Sequence, residues 1–147
     1  MCHLVRHSAA NGPPLGAEAK DTFRKAVLAD VGLAHALLGT LAATAFPSWP
    51  DLATHLRGQL AGQLAGQQLR LLDTLTGDGP ELFCWQREGG RSGEVDYLVV
   101  VEGRIVPVEL KSRAAGSTKS LRQFMFDKHM DLAARCDANP PSVMMSR

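Results

Sequence analysis

Four ionisable side chains lie close together in the second half of this 147-residue chain. Glu94 and Asp96 come just before one run of aliphatic residues, and Glu109 and Lys111 end the next run. Carboxylate oxygens suit hard divalent ions such as Mg²⁺, and a bound divalent ion activates water. A neighbouring ammonium group stabilises the negative charge that develops in such a reaction. These residue types indicate metal-dependent hydrolysis if the fold brings them together.

The register of a β-hairpin decides whether these side chains meet. The dipeptide Glu102-Gly103 predicts a tight turn between the two apolar runs. The register set by that turn places Asp96 directly opposite Glu109, with Cβ atoms about 4.5–5.5 Å apart. Side chains alternate along a strand, so Glu94 and Lys111 are expected on the same face. Two facing carboxylates repel each other, and two interpretations follow, a shared divalent cation or a structural charge cluster.

Three strands and two helices are predicted around these residues. Apolar runs bounded by turn residues predict strands at 81–86, 94–101 and 105–111. Helical periodicity predicts one helix from about 52 to 75 and another near 119–132. The first helix carries Gly58, Gly62 and Gly66 on one face. Glycine weakens a helix interior, so this spacing indicates close approach of another element.

The residues ahead of the long helix are predicted to form a mostly helical segment. Residues 1–20 are polar and rich in proline and glycine, which predicts an irregular arm. Asp30 is a candidate N-cap for a helix that begins at Val31 and ends at Gly39. We therefore expect an N-terminal arm and helical segment at 1–50 and a compact α/β core at 51–147.

Composition narrows the class of protein. Lys and Arg number 16 and Asp and Glu 15, so any contact with nucleic acid requires a local patch rather than overall charge. The three cysteines are widely spaced and form no disulfide framework. Cys84, between Phe83 and Trp85 in a predicted strand, is expected to be a packed thiol. No segment has the pattern of a signal peptide or a membrane span, so we expect a cytoplasmic protein without a membrane partner.

An ordered series of short motifs resembles a known superfamily. The main motifs are GEVDYLV at 93–99, IVPVELKS at 105–112 and KSLRQF at 119–124. Supporting stretches lie at 10–12, 15–18, 28–33, 66–69, 83–85 and 139–141. The series resembles the Asp…Glu-x-Lys core of the PD-(D/E)XK nucleases. More narrowly, it resembles the domain of unknown function that follows the ATPase core in many bacterial and archaeal AAA ATPases. The resemblance covers roughly residues 9–144.

The resemblance implies roles for particular residues. A PD-(D/E)XK-like fold, a mixed sheet with flanking helices, would make Asp96 and Glu109 ligands of Mg²⁺ or Mn²⁺. Lys111 would be the charged helper. An early helix of active members usually donates a further glutamate, and Gly62 stands at that position here. Gln68 is a neutral polar stand-in farther along the same helix.

Further side chains are candidates for binding rather than catalysis. We assign this role to Glu94, Gln68, Lys119 and Arg122. Basic residues near the site mouth form either a phosphate-facing patch or a solvated rim, and they are Arg87, Arg91, Arg104, Lys111, Lys119 and Arg122. The sequence around Lys119 lacks the glycine that precedes the lysine of a phosphate-binding loop, so no nucleotide cofactor is expected.

Two functions from different classes are therefore predicted. One is a nuclease-related, nucleic-acid-associated module, a divalent-metal-dependent phosphodiesterase with a degenerate site. The other is a catalytically inactive interaction or regulatory domain, C-terminal to an AAA-type ATPase core that acts as its partner. The set Asp96, Glu109 and Lys111 favours the first function, and Gly62 favours the second.

Overall fold

The computed structural model describes residues 2–37, 54–71, 81–88, 93–111, 117–137 and 139–143. The strands are β1 (Cys2–Ser8), β2 (Ala19–Leu28), β3 (Leu82–Gln86), β4 (Glu94–Val101), β5 (Arg104–Leu110) and β6 (Ala134–Cys136). The helices are α1 (Val31–Leu37), α2 (Thr54–Leu71) and α3 (Lys119–Asp127), with a short 3-10 turn at Leu15–Glu18. None of the helices in these ranges has the length and apolarity needed to cross a membrane.

The strands of the described ranges form one mixed sheet with a helix on each face. Their order is β2-β1-β3-β4-β5-β6, and neighbours are antiparallel except β1 with β3 and β5 with β6. Ala65 of α2 packs in the same apolar cluster as Tyr97, whereas Phe124 of α3 packs in the cluster of Leu98. Tyr97 and Leu98 are consecutive residues of β4 and point to opposite faces. The predicted α/β class with flanking helices is confirmed.

The predicted hairpin forms with the predicted register. Val101 pairs with Arg104, and the ladder continues to the pair Tyr97 and Val108. Glu102 and Gly103 make the turn with φ angles of 50° and 75°. Positive φ at both central residues matches the right-handed twist of the strands and keeps the connection to two residues. The turn therefore sets the relative position of the acids that precede and follow it.

The N-terminal segment is strand-rich, so the prediction of a mostly helical segment is wrong. Residues 2–8 of the predicted arm form β1, which lies between β2 and β3. Alternation along β1 is hidden because its buried side includes a histidine, His7, beside Val5. The short helix α1 is present, and Asp30 Oδ1 accepts the N–H of Leu33 at 2.9 Å, which confirms the N-cap. The predicted end at Gly39 lies outside the described residues.

The C-terminal segment also differs from its prediction. Helix α3 ends at Asp127 rather than near residue 132, and His129 takes a φ of 52° two residues later. The chain then returns to the sheet as β6, which was not predicted and pairs in parallel with β5. A three-residue strand has too few positions to show alternation in the sequence.

Helix α2 packs closely at one of its three glycines. A Cβ atom on Gly66 would lie 2.6 Å from Tyr97 Oη and 2.8 Å from Val27 Cγ2. A Cβ atom on Gly58 or Gly62 would meet nothing within 4 Å. The predicted close approach is therefore confirmed at Gly66 alone. It brings α2 onto the sheet beside the strand that carries Asp96.

Two glutamines of α2 form hydrogen bonds with backbone groups at the free edge of β2. Gln63 Oε1 accepts the N–H of Leu28 at 2.8 Å, and Gln63 Nε2 donates to the carbonyl of Ala26 at 2.8 Å. Gln67 Nε2 donates to the carbonyl of Leu28 at 2.9 Å. An edge strand otherwise presents unpaired backbone groups that attract other chains. These contacts fix β2 against α2 and so fix the position of the strand that carries Lys25.

Candidate metal centre

Asp96 lies in a β-bulge that was not predicted from the sequence. Phe83 of β3 pairs with Leu98, but Trp85 pairs with Val95, so Asp96 and Tyr97 together lie opposite one residue of β3. The extra residue redirects side chains at this point of the strand. The bulge therefore decides where the Asp96 carboxylate points, which alternation alone does not.

The Asp96 carboxylate is anchored to the neighbouring strand. Its Oδ2 atom accepts the backbone N–H of Leu110 at 2.9 Å. The β4–β5 ladder ends at the pair Tyr97 and Val108, so this bond continues the link between the strands beyond the last paired residues. Asp96 is consequently held next to the segment that carries Glu109, in agreement with the predicted hairpin.

Glu109 is a buried acid with one unsatisfied oxygen. Its side chain is 5% exposed and forms an ion pair with Lys111 through Oε1. The other oxygen, Oε2, has no hydrogen-bond partner in the described part of the chain. Burial raises the pKa of Glu109, the hydrogen bond from Lys111 lowers it, and the charge of Asp96 raises it again. A buried carboxylate oxygen without a donor or a cation is destabilising, so this atom marks a place for one.

Lys25 joins the cluster from a distant strand. Its ammonium group forms an ion pair with Glu94 and lies 3.8 Å from Asp96 Oδ1. It is also 3.5 Å from the backbone carbonyl of Asp96. Strands β1 and β3 lie between β2 and β4, so the lysine side chain extends over two strands to reach these acids.

The sequence contains a signal for Lys25, but only once β2 is known to be a strand. Phe23 and Val27 belong to the apolar cluster under α2, and Lys25 lies between them at the alternating position. An inward-facing lysine on an apolar face needs an anionic partner. Reasoning from the hairpin alone missed it, because β2 was not expected to be part of the sheet.

The other predicted site residues lie at the protein surface, apart from the acids of the site. Gln68, Lys119 and Arg122 are exposed, and none of the ion pairs or hydrogen bonds between described residues joins them to the acids. Lys119 lines a shallow groove of about 190 Å³ on the α3 side of the sheet, which is also lined by Trp85, Arg87, Gly93, Ser120 and Gln123. Arg87 forms an ion pair with Asp127, and Arg91 lies outside the described residues.

Gly62 lies beside the bulge without contributing a side chain. Its carbonyl oxygen accepts the hydroxyl of Tyr97 at 2.7 Å. Tyr97 is the neighbour of Asp96 in β4, so this part of α2 faces the same end of the sheet. A Cβ atom at Gly62 would meet no described atom within 4 Å, so the position accommodates a methyl group.

The described residues supply few metal ligands. Across these ranges, no group of three or more His, Cys, Asp or Glu side chains is arranged to hold a metal ion. Mg²⁺ is commonly bound through one or two carboxylates and keeps several waters, so Asp96 and Glu109 meet its minimum requirement. The unsatisfied Oε2 of Glu109 fits such an ion, because the atom is buried, anionic and without a donor.

Cys84 lies near the charge cluster of Lys25, Glu94 and Asp96, but its thiol is unreactive. It is fully buried between the strands, and burial raises the pKa of its thiol to about 11. Since the thiolate is the nucleophile and the metal ligand, a thiol with this pKa is unreactive at neutral pH. The prediction of a packed thiol is confirmed.

A family model for a domain of unknown function, DUF4143, matches residues 57–139, more than half of the chain. The chain belongs to the DUF4143 family. The DUF4143 match contains Asp96, Glu109 and Lys111 but not β1 or β2, so Lys25 lies outside it. No curated protein and no solved structure matches the chain.

Proposed function

We propose that this DUF4143 chain is a nuclease-related, nucleic-acid-associated module of the PD-(D/E)XK type, in which Asp96 and Glu109 hold Mg²⁺ or Mn²⁺. The observation that carries the proposal is the buried Oε2 atom of Glu109, which has no partner among the described residues and lies in the same charge cluster as Asp96. A bound cation offsets both the repulsion between the two acids and the cost of burying that oxygen.

Each residue of the site has a distinct task in this proposal. Lys111 favours the ionised form of Glu109 by pairing with Oε1, and Oε2 is then the oxygen that would bind the ion. The N–H of Leu110 holds Asp96 in place through Oδ2, so Oδ1 is the oxygen that would bind the ion. A bound divalent ion would activate water and stabilise charge on the transferred phosphoryl group. Lys111 is partly exposed and contributes positive charge where a phosphate would approach.

Cleavage of plasmid and single-stranded DNA with Mn²⁺ tests the proposal. We expect cutting that EDTA abolishes and that Asp96→Asn reduces by at least about 100-fold, on the order of a lost catalytic group. Glu102→Gln is the matched control, because it removes an exposed carboxylate from the turn of the same hairpin. Cutting that survives Asp96→Asn would mean that the activity does not come from this site.

Gly62→Glu tests whether the missing acid limits activity. The position has open space around a Cβ atom and lies beside Tyr97, next to Asp96. We expect Gly62→Glu to raise Mn²⁺-dependent cleavage at least several-fold over the original chain. Gly58→Glu is the control, because it adds the same charge one helical turn away at an equally open position.

A second function is supported by a different observation. The position of the usual further acid is a glycine, and α1 and α2 expose four leucines, namely Leu33, Leu37, Leu64 and Leu71. Exposed apolar side chains on neighbouring helices are typical of protein contact surfaces. The alternative is therefore an inactive interaction or regulatory domain that follows an AAA-type ATPase core. Folded protein that cuts neither DNA nor RNA with Mn²⁺, with or without Gly62→Glu, would favour this alternative.

A further inference from the structure

One cation that the structure places at the acidic cluster is Lys25. Its ammonium group is ion-paired with Glu94 and lies 3.8 Å from Oδ1 of Asp96, with the side chain 25% exposed. Lys111, a further lysine near these acids, is ion-paired with Glu109. Among the described residues, Lys25 therefore lies close to two of the three acids, Glu94 and Asp96.

The two oxygens of Asp96 differ in availability. Oδ2 is taken up by the N–H of Leu110, whereas Oδ1 faces the ammonium group of Lys25. A divalent ion held by Asp96 through Oδ1 would lie next to that ammonium group. The divalent ion and the Lys25 ammonium group would repel each other strongly, because the site is partly buried.

We propose that Lys25 competes with the divalent ion for Asp96, so that the metal binds only when the ammonium group moves away from Oδ1. The inference rests on the metal site of the proposed function and adds a regulatory residue from outside the DUF4143 match. Glu94 gives the displaced ammonium a second partner, because the two already form an ion pair. Lys25 thereby lowers the metal affinity of the free protein without being a ligand.

Mn²⁺ binding measured by calorimetry without nucleic acid tests this competition. We expect Lys25→Met to bind Mn²⁺ at least about tenfold more tightly than the original chain, which corresponds to about 1.4 kcal/mol. Lys20→Met is the matched control, since Lys20 is on the same strand and pairs with Glu88 instead. Equal or weaker binding by folded Lys25→Met, lost on adding Asp96→Asn, would overturn the competition and leave the metal site standing. Absence of binding in both proteins would overturn both proposals.

A second measurement uses the unaltered chain and does not depend on how a variant folds. Acetylation by an N-hydroxysuccinimide ester, followed by mass spectrometry, reports how free each lysine amine is. We expect saturating Mg²⁺ to increase the rate at Lys25 several-fold and to leave the rate at Lys20 unchanged. In Asp96→Asn the Mg²⁺ effect at Lys25 should vanish. A Lys25 rate that is the same with and without bound Mg²⁺ would overturn the proposal.

Discussion

Asp96 and Leu110 are joined across the hairpin by a side-chain to backbone hydrogen bond of 2.9 Å, beyond the last residue pair of the β4–β5 ladder. Through this bond, the backbone of β5 fixes the position of the Asp96 carboxylate. Glu109 precedes Leu110 directly, so the same contact sets the spacing of the two acids. Different substitutions of Asp96 should therefore change the free energy of unfolding and the metal affinity to different extents.

Asp96→Asn and Asp96→Ala should differ in stability. The amide oxygen of asparagine accepts the Leu110 N–H as the carboxylate does, whereas alanine leaves that donor without its partner. We expect Asp96→Ala to be less stable than Asp96→Asn by about 1 kcal/mol. Urea denaturation followed by circular dichroism measures the difference. Equal midpoints for the two variants would contradict the anchoring role of the hydrogen bond.

The raised pKa of Glu109 predicts a pH dependence of stability. The usual pKa of this group is 4.5, and its pKa in the folded chain is higher. At a pH between these two pKa values, the folded chain retains a proton that the unfolded chain has released. The free energy of unfolding therefore falls as the pH rises through this interval. Glu109→Gln should therefore have a higher thermal midpoint than the original chain at pH 7, with a free-energy gain on the order of 1 kcal/mol. The gain should shrink towards pH 4.

Metal-free thermal melts between pH 4 and pH 8 check this prediction. Glu102→Gln is the control, since Glu102 is an exposed acid on the same hairpin. A Glu109→Gln variant whose advantage grows as the pH falls would reverse the expected sign. It would mean that the ion pair with Lys111 outweighs the burial of Glu109.

Gly66→Ala should be strongly destabilising, in contrast to the other glycines of α2. Its new methyl group would lie 2.6 Å from Tyr97 Oη and 2.8 Å from Val27 Cγ2, so the helix or these two side chains must shift. We expect a loss of about 1–3 kcal/mol, the usual cost of overpacking. Gly58→Ala and Gly62→Ala add a methyl group in open space and should gain about 0.5–1 kcal/mol. Urea midpoints of the three variants give the comparison.

Gln63→Ala should loosen the edge of the sheet. The substitution leaves the N–H of Leu28 and the carbonyl of Ala26 without their side-chain partners. We expect a loss of about 1–2 kcal/mol and faster hydrogen exchange at the Leu28 amide. Gln59→Ala, at an exposed position of the same helix, is the control. Unchanged exchange at Leu28 would show that the hydrogen bonds from Gln63 do not hold this edge of β2.

The amino-acid sequence determined those features that depend on neighbouring residues. The turn at Glu102 and Gly103 sets the register of β4 against β5, and Asp30 caps α1 through a residue three positions away. Both are short-range contacts whose geometry follows from residue type and spacing. The pairing of Asp96 with the Glu109 segment was predictable for the same reason.

Tertiary structure decided which distant groups complete the site. Strand β1 enters the sheet between β2 and β3, and its partner Leu82 is far along the chain from Val5. Three features of the site depend on that arrangement. They are the β-bulge at Asp96, the close packing of Tyr97 against Gly66 and the ion pair of Lys25 with Asp96. Such contacts form only when chain segments remote in sequence pack together. Burial and long-range charge, rather than local propensity, decide whether an acid pair becomes a metal site or an ion-pair cluster.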